Sequence, residues 1–171
     1  MYEKSEPLTQ SLHAIIKPIQ AMDDCCKKLA QNKTHCPSCD SIGKAVQMIT
    51  LRSLLQEKYS NKLSKNDNYY FCSAPSCDLV YFNTNKASFT VRDLGVKVFQ
   101  KDAALDVPVC YCFGWTRKKI SDEIQNLGKS SAIGSIKKNI QAGRCACEIN
   151  NPQGSCCLGN VSNYVKGEMN Q

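Results

Sequence analysis

Twelve cysteines mark this 171-residue chain, and each has a close partner in sequence: Cys25-Cys26, Cys36-Pro37-Ser38-Cys39, Cys72 with Cys77, Cys110-Tyr111-Cys112, Cys145-Ala146-Cys147 and Cys156-Cys157. Any fold the chain adopts must gather these sulfurs, either into disulfides or around metal. Paired thiols at short intervals are how a chain wraps sulfur around zinc or an iron–sulfur cluster. An even cysteine count in a small protein also suits a secreted disulfide framework. Two observations oppose that alternative. The first twenty residues carry Glu3, Lys4, Glu6, Lys17 and Pro18, and Leu12, Ile15, Ile16 and Ile19 form only a broken apolar run, so no secretory signal is expected. Adjacent and next-but-one cysteines also bridge each other poorly, since a disulfide wants Cα atoms about 5.5 Å apart with specific dihedrals. Metal ligation in a reducing cytoplasm is the favoured reading.

The length fits one ordinary domain or two small ones, and no run of about 18 apolar residues is present to span a membrane. The formal charge of +7 treats every cysteine as neutral. A four-thiolate zinc and a four-thiolate oxidised two-iron cluster would each contribute about −2, leaving about +3. Arg117-Lys118-Lys119 and Lys137-Lys138 are short clusters typical of solvated helix faces, not a dense basic tract with interleaved aromatics. Neither nucleic-acid binding nor membrane insertion is expected.

Three segments follow. Residues 1–34 form an amino-terminal helical or flexible extension, with an amphipathic stretch over 11–30 broken at Pro18. Met22, Cys25 and Cys26 there could offer soft ligands to Cu(I), although packed or free helical cysteines are the blander reading. Residues 35–105 hold the first ligand set. Cys36 and Cys39 sit on a Cys-Pro-x-Cys turn that points two sulfurs at one ion, and Cys72 with Cys77 supplies a second pair after Tyr69-Tyr70-Phe71. Four sulfurs suit tetrahedral zinc. Both the long middle and the wider second knuckle depart from the commonest zinc ribbon. Between the pairs, Val46, Ile49, Leu51, Leu54 and Leu55 recur near helical period, and Asn66-Asp67-Asn68 reads as a turn into an aromatic strand. Leu79 to Phe82, Ala87 to Val91 and Val96 to Phe99 read as further strands. A site closed by four thiolates has no open position for water or substrate, so its role is structural. His35 beside it reads as an exposed histidine, with ligation the less favoured alternative.

Residues 106–171 carry the second set. Cys110 and Cys112 lie on a strand or loop before Thr116, an N-cap for a helix with Ile120, Ile124 and Leu127 on one face, closed by Gly128. A second helix through Ile133, Ile136 and Ile140 ends at Gly143 and delivers the chain to Cys145 and Cys147. Asn151-Pro152-Gln153-Gly154 is a turn signature, after which Cys156-Cys157 opens a third periodic stretch through Leu158, Val161 and Val165. Thiolates would converge from a loop and from helix termini, where backbone N–H groups can offset cluster charge. This argues for iron and sulfur over a second zinc.

The same residues carry a resemblance. Cys-x-Cys, two helices and a later cysteine pair resemble the bacterioferritin-associated ferredoxin-like [2Fe-2S] domain. The whole order is closer to the zinc- and [2Fe-2S]-containing N-terminal domain of prokaryotic copper chaperones: Cys36-Pro37-Ser38-Cys39, Tyr70-Phe71-Cys72-Ser73 leading to Cys77 and Val80-Tyr81-Phe82, Val109-Cys110-Tyr111-Cys112, and Cys147 followed by Asn151-Pro152-Gln153-Gly154-Ser155-Cys156-Cys157. The likeness covers roughly 35–165. It implies zinc on Cys36, Cys39, Cys72 and Cys77 and a [2Fe-2S] cluster on Cys110, Cys112, Cys147 and Cys157. Cys145 and Cys156 are then spare, and either could ligate instead. Full chaperones of that family append a heavy-metal-associated domain with a Met-x-Cys-x-x-Cys loop, which is not found up to Gln171.

The expectation is a small α+β protein, a zinc-knuckle subdomain followed by a helical cluster-binding subdomain. The resemblance implies one-electron transfer in metal handling, with Cu(II) reduced to Cu(I) for a separate carrier or for the Cys25-Cys26 region, and with a metal-handling or redox protein as partner. The alternative is a zinc-structured interaction module or redox-sensing regulator. No Ser/His/Asp set, phosphate loop or open metal site is legible, so catalysis of another kind is not expected.

Overall fold

The computed structural model describes residues 34–170. The expected helix over 11–30, with Met22, Cys25 and Cys26, lies outside the described residues. Aromatic and β-branched residues build an antiparallel sheet in the order β1 (Lys44–Val46), β2 (Tyr69–Phe71), β3 (Leu79–Asn83), β4 (Ser88–Thr90). Strand side chains alternate between faces, and β2 uses both. Tyr69 and Phe71 enter one core with Val46, Leu51, Val80, Tyr81 and Phe89, whereas Tyr70 joins Phe82, Cys36, Cys72 and Cys77 in another. A register shift between Leu79 and Tyr81 lets the consecutive Val80 and Tyr81 share the first core. Helix α1 (Met48–Leu54) buries Thr50, Leu51 and Leu54, so the apolar period read between the cysteine pairs yields a short helix, with Val46 assigned to β1 instead.

The second half begins with a small hairpin of β5 (Pro108–Cys110) and β6 (Trp115–Thr116). Helix α2 (Arg117–Leu127) starts at Thr116, whose hydroxyl accepts the Lys119 N–H at 3.2 Å, and stops at Gly128 with φ 68°. Only a residue tolerant of the left-handed region ends a helix so sharply. Helices α3 (Ala132–Gln141) and α2 both pack on α5 (Leu158–Met169), with the four-residue α4 (Cys147–Asn150) between. Val109, Trp115, Ile120, Ala132, Ile136, Val161 and Val165 form the core here, lined by Cys110, Cys147 and Cys157.

Two expectations need correction. Val96 to Phe99 is not a strand: Val98 is buried, but its carbonyl accepts the Lys101 and Asp102 N–H groups, and the Phe99 N–H bonds the Tyr111 hydroxyl at 2.8 Å. Packing and turn bonds use the groups a sheet would need. Leu127 is 67% exposed: Ile120 is buried and Ile124 packs against the same core, but the end of α2 at Gly128 leaves Leu127 outside it.

The halves meet along α1 and α4. The Thr50 hydroxyl donates to the Glu148 carbonyl at 2.6 Å, and the buried Tyr81 hydroxyl donates to the Pro152 carbonyl at 2.8 Å. Lys44 Nζ donates to Ser155 Oγ at 2.6 Å, and Gln100 Nε2 to Gln153 Oε1 at 2.8 Å. Gly154, at φ 62°, fits where a Cβ would lie 3.1 Å from Thr50 Oγ1 and from Val46 Cγ1.

Candidate metal centres

The first centre is built by two turns. The Asp40 N–H donates to the Cys36 carbonyl at 2.9 Å, with Asp40 itself at φ 58°, and the Cys36 N–H donates to Ser41 O at 2.9 Å. Across the sheet, the Cys72 N–H donates to Val80 O at 2.9 Å and the Cys77 N–H to Ala74 O at 3.3 Å. These bonds bring the sulfurs of Cys36, Cys39, Cys72 and Cys77 within 4.8 Å of one another. Cys36 Sγ lies 3.9 Å from Cys77 Sγ, and Cys39 Sγ lies 3.6 Å from Cys72 Sγ. A zinc tetrahedron with bonds near 2.3 Å has sulfur–sulfur edges of about 3.8 Å. The donor set fits zinc without rearrangement.

Environment divides the thiols. Burial pushes Cys72 up to about 12 and also raises Cys36. Cys39, at the edge, is held down to about 6, first by hydrogen bonding from the Ser41 side chain and then from its amide. Lys101 reaches in from the connecting segment, its Nζ donating to Ala74 O at 2.9 Å and Cys77 O at 2.8 Å. Its charge also favours the Cys72 thiolate. Nothing in the sequence singled Lys101 out, since it is one lysine among many. His35 is not among the clustered ligands; its Nδ1 bonds the Asp40 carbonyl at 2.8 Å and supports the first turn.

The second centre lies in the helical half. Cys110 ends β5, Cys112 lies in the turn to β6, Cys147 begins α4 and Cys157 caps α5. Cys112 Sγ is 3.7 Å from Cys147 Sγ, and Cys145 Sγ is 3.3 Å from Cys147 Sγ. The three sulfurs of Cys112, Cys145 and Cys147 lie within 4.8 Å of one another. Cys110 and Cys157 are not in that three-sulfur group; they are buried in the same apolar core beside it. Hydrogen bonding from Cys110 holds Cys157 down to about 4, and bonding from Cys147 holds Cys112 down to about 6. Their partners are pushed up in turn: Cys110 by its bond to Cys157, Cys147 by its bond to Cys112, and both by burial. Cys145, half-buried, is pushed up to about 11 by desolvation, and Cys156 is half-buried beside Cys157.

The loop before Cys157 is held by its own amides. Asn151 Nδ2 donates to Ser155 O at 2.8 Å, Gln153 Nε2 to Cys156 O at 2.9 Å, and Asn160 Nδ2 to Gln153 Oε1 at 2.9 Å. Asn151 and Gln153 are buried, and every buried side-chain polar atom among the described residues has a partner. The turn signature located this loop but not its side-chain network. Asn150 Nδ2 approaches Cys112 Sγ at 3.7 Å and is a polar neighbour of that half-buried sulfur.

The fold and the four-sulfur group define a cysteine-rich metal-binding protein with a zinc-binding domain. Residues 33–95 match the CopZ-type family described as a zinc binding domain. The copper chaperone CopZ of Archaeoglobus fulgidus is 34% identical over 124 residues, which are 72% of this chain and 57% of that protein. The X-ray structure of the Archaeoglobus fulgidus CopZ N-terminal domain superposes with a TM-score of 0.64 at 30% identity, covering 76% of this chain and 96% of that one. This chain belongs to the family of that N-terminal domain.

Proposed function

We propose that the protein is a zinc and [2Fe-2S] protein that passes single electrons in copper handling. Residues 35–105 would form the zinc subdomain, with Cys36, Cys39, Cys72 and Cys77 as ligands. Residues 106–171 would form the cluster subdomain, with Cys110, Cys112, Cys147 and Cys157 as ligands. The observation that carries the reading is the second gathering of thiols, beyond the matched zinc domain: Cys112 and Cys147 lie 3.7 Å apart, with Cys110 and Cys157 buried in the same core. Two irons require two thiolates each, and the all-sulfur donor set in a mostly apolar core suits that group.

When bound, such a cluster supplies a one-electron couple, enough to convert one Cu(II) to Cu(I). The chain's own residues do the rest. Cys110, Cys147 and Cys157 are buried and exclude water, and Cys112 is the more exposed sulfur, with Asn150 as its polar neighbour. That edge is where an electron would leave toward a metal-handling partner. All-thiolate ligation favours a lower potential than a histidine-bearing centre. The name of the Archaeoglobus relative supports copper as the cargo, and a cytoplasmic setting agrees with ten free thiols among the described residues. No helix among the described residues is long and apolar enough to cross a membrane.

The test is anaerobic purification with iron, sulfide and zinc assayed on one sample, followed by titration with Cu(II). Expected are two irons and one zinc per chain, a visible spectrum that bleaches on reduction, and recovery of colour with one Cu(II) per chain. A colourless protein with zinc in both centres after attempted reconstitution would refute the redox reading and favour a zinc-built interaction module.

A further inference from the structure

The cluster reading needs four sulfurs, yet five cysteines line the same core, and the three of them that cluster include one outside the proposed set. Cys145 and Cys156 are the two surplus thiols in sequence, and the fold separates their roles. Cys145 Sγ stands 3.3 Å from Cys147 Sγ, closer than Cys112 Sγ at 3.7 Å, and belongs to the three-sulfur group with both. Cys156 is not in that group; its carbonyl is instead tied to Gln153 Nε2 at 2.9 Å in the loop network. The segment from Gly143 to Ala146 explains why Cys145 can reach. Gly143, at φ 66°, ends α3, the Arg144 N–H bonds back to Asn139 O at 3.1 Å, and Ala146 is in an irregular conformation just before α4. Cys147, in contrast, is anchored as the first residue of α4 and is buried. One sulfur thus rides on a connecting segment and the other on a helix, both aimed at the same place.

The geometry points to Cys145 as a reserve cluster ligand that can take the coordination position of Cys147, an inference that rests on the cluster reading above. In the exchange the Cys145 sulfur bonds iron as the Cys147–iron bond breaks. The proton given up by the Cys145 thiol passes to the released Cys147 thiolate, so charge and electrons are unchanged. The consequence is retention: an iron that loses Cys147 is recaptured by the Cys145 sulfur already beside it, which gives up its proton on binding, and ligand loss need not become cluster loss.

The experiment compares wild type, Cys145→Ala, Cys147→Ala and the double alanine variant after anaerobic reconstitution. Iron, sulfide and zinc are counted together, the zinc reporting that each variant folds. Cys147→Ala is expected to keep iron and sulfide near wild-type levels with an altered circular dichroism and electron paramagnetic resonance signature. The double variant should keep zinc and lose iron. Cys145→Ala should assemble fully but release iron to a chelator several-fold faster than wild type. An iron-free Cys147→Ala that retains its zinc would overturn the proposal while leaving the cluster reading intact. If Cys147→Ala loses zinc as well, the release rate of Cys145→Ala decides: faster release supports the reserve ligand and unchanged release overturns it. Wild type without iron after reconstitution would overturn the cluster reading and this proposal together.

Discussion

Tyr81 belongs to the sheet of the zinc-binding half, yet its hydroxyl holds the loop that leads to Cys156 and Cys157. Tyr81→Phe removes that single donor from a fully buried ring and strands the Pro152 carbonyl, which accepts it at 2.8 Å. The ring itself remains packed near Phe71, so the perturbation is the hydrogen bond alone. Burial pushes the phenol well above its ordinary value, so it remains a donor throughout the physiological range and the effect should not vary with pH there. A net hydrogen bond contributes about 0.5–1.5 kcal/mol, and leaving a buried acceptor unpaired raises the cost to about 1–3 kcal/mol. Borne by local opening of residues 151–156, that is an increase of about 5- to 150-fold in the open fraction. Hydrogen exchange of this segment in the intact protein reads it directly, with the Gly154 N–H, which donates to Asn151 O at 2.8 Å, as the reporter. The Cys36 and Cys72 amides of the zinc knuckles serve as the internal control and should be unchanged. Exchange at 151–156 within about twofold of wild type would refute the claim that this bond couples the halves.

Other outcomes follow from the zinc centre. Lys101→Met should speed zinc release to a chelator several-fold, because the Ala74 and Cys77 carbonyls lose the ammonium that bridges them and a four-thiolate zinc site of about −2 would lose a nearby cation. Gly43→Ala should cost about 1–3 kcal/mol by denaturant midpoint, since a Cβ there would lie 2.5 Å from Phe82 Cζ and 2.8 Å from Tyr70 Cβ, both packed with Cys36, Cys72 and Cys77. In the zinc-free protein, alkylation of Cys39 should rise as pH increases through about 6, not near the ordinary thiol value, with mass spectrometry locating the label. The sign for stability follows from the same lowering: the Cys39 contribution is present at alkaline pH and lost as pH falls through about 6, and a midpoint near the ordinary value would refute it.

The local parts of both centres were legible from residue order. A Cys-Pro-x-Cys turn, a threonine N-cap and glycines at helix ends depend on backbone conformations within a few residues, so Cys36 with Cys39, Thr116, Gly128 and Gly143 could be placed without knowing the rest of the fold. The aromatic strand at Tyr69 to Phe71 and the amphipathic helices were readable for the same reason. Val96 to Phe99 misled because apolar spacing records which side chains are buried, not where the N–H groups find acceptors, and here one of them bonds the Tyr111 hydroxyl.

Sequence alone determined that this chain must gather thiols in two places and which short turns present them. Only tertiary structure decided which of the surplus cysteines joins the second gathering, and that a lysine at 101 and a tyrosine at 81 serve the two centres. The physical reason is range. Turns and caps are closed by bonds over three to five residues, whereas Cys145 meets Cys112, Lys101 meets Ala74 and Tyr81 meets Pro152 only after sheet and helices have packed. Those meetings depend on how two hydrophobic cores are set against each other across α1 and α4.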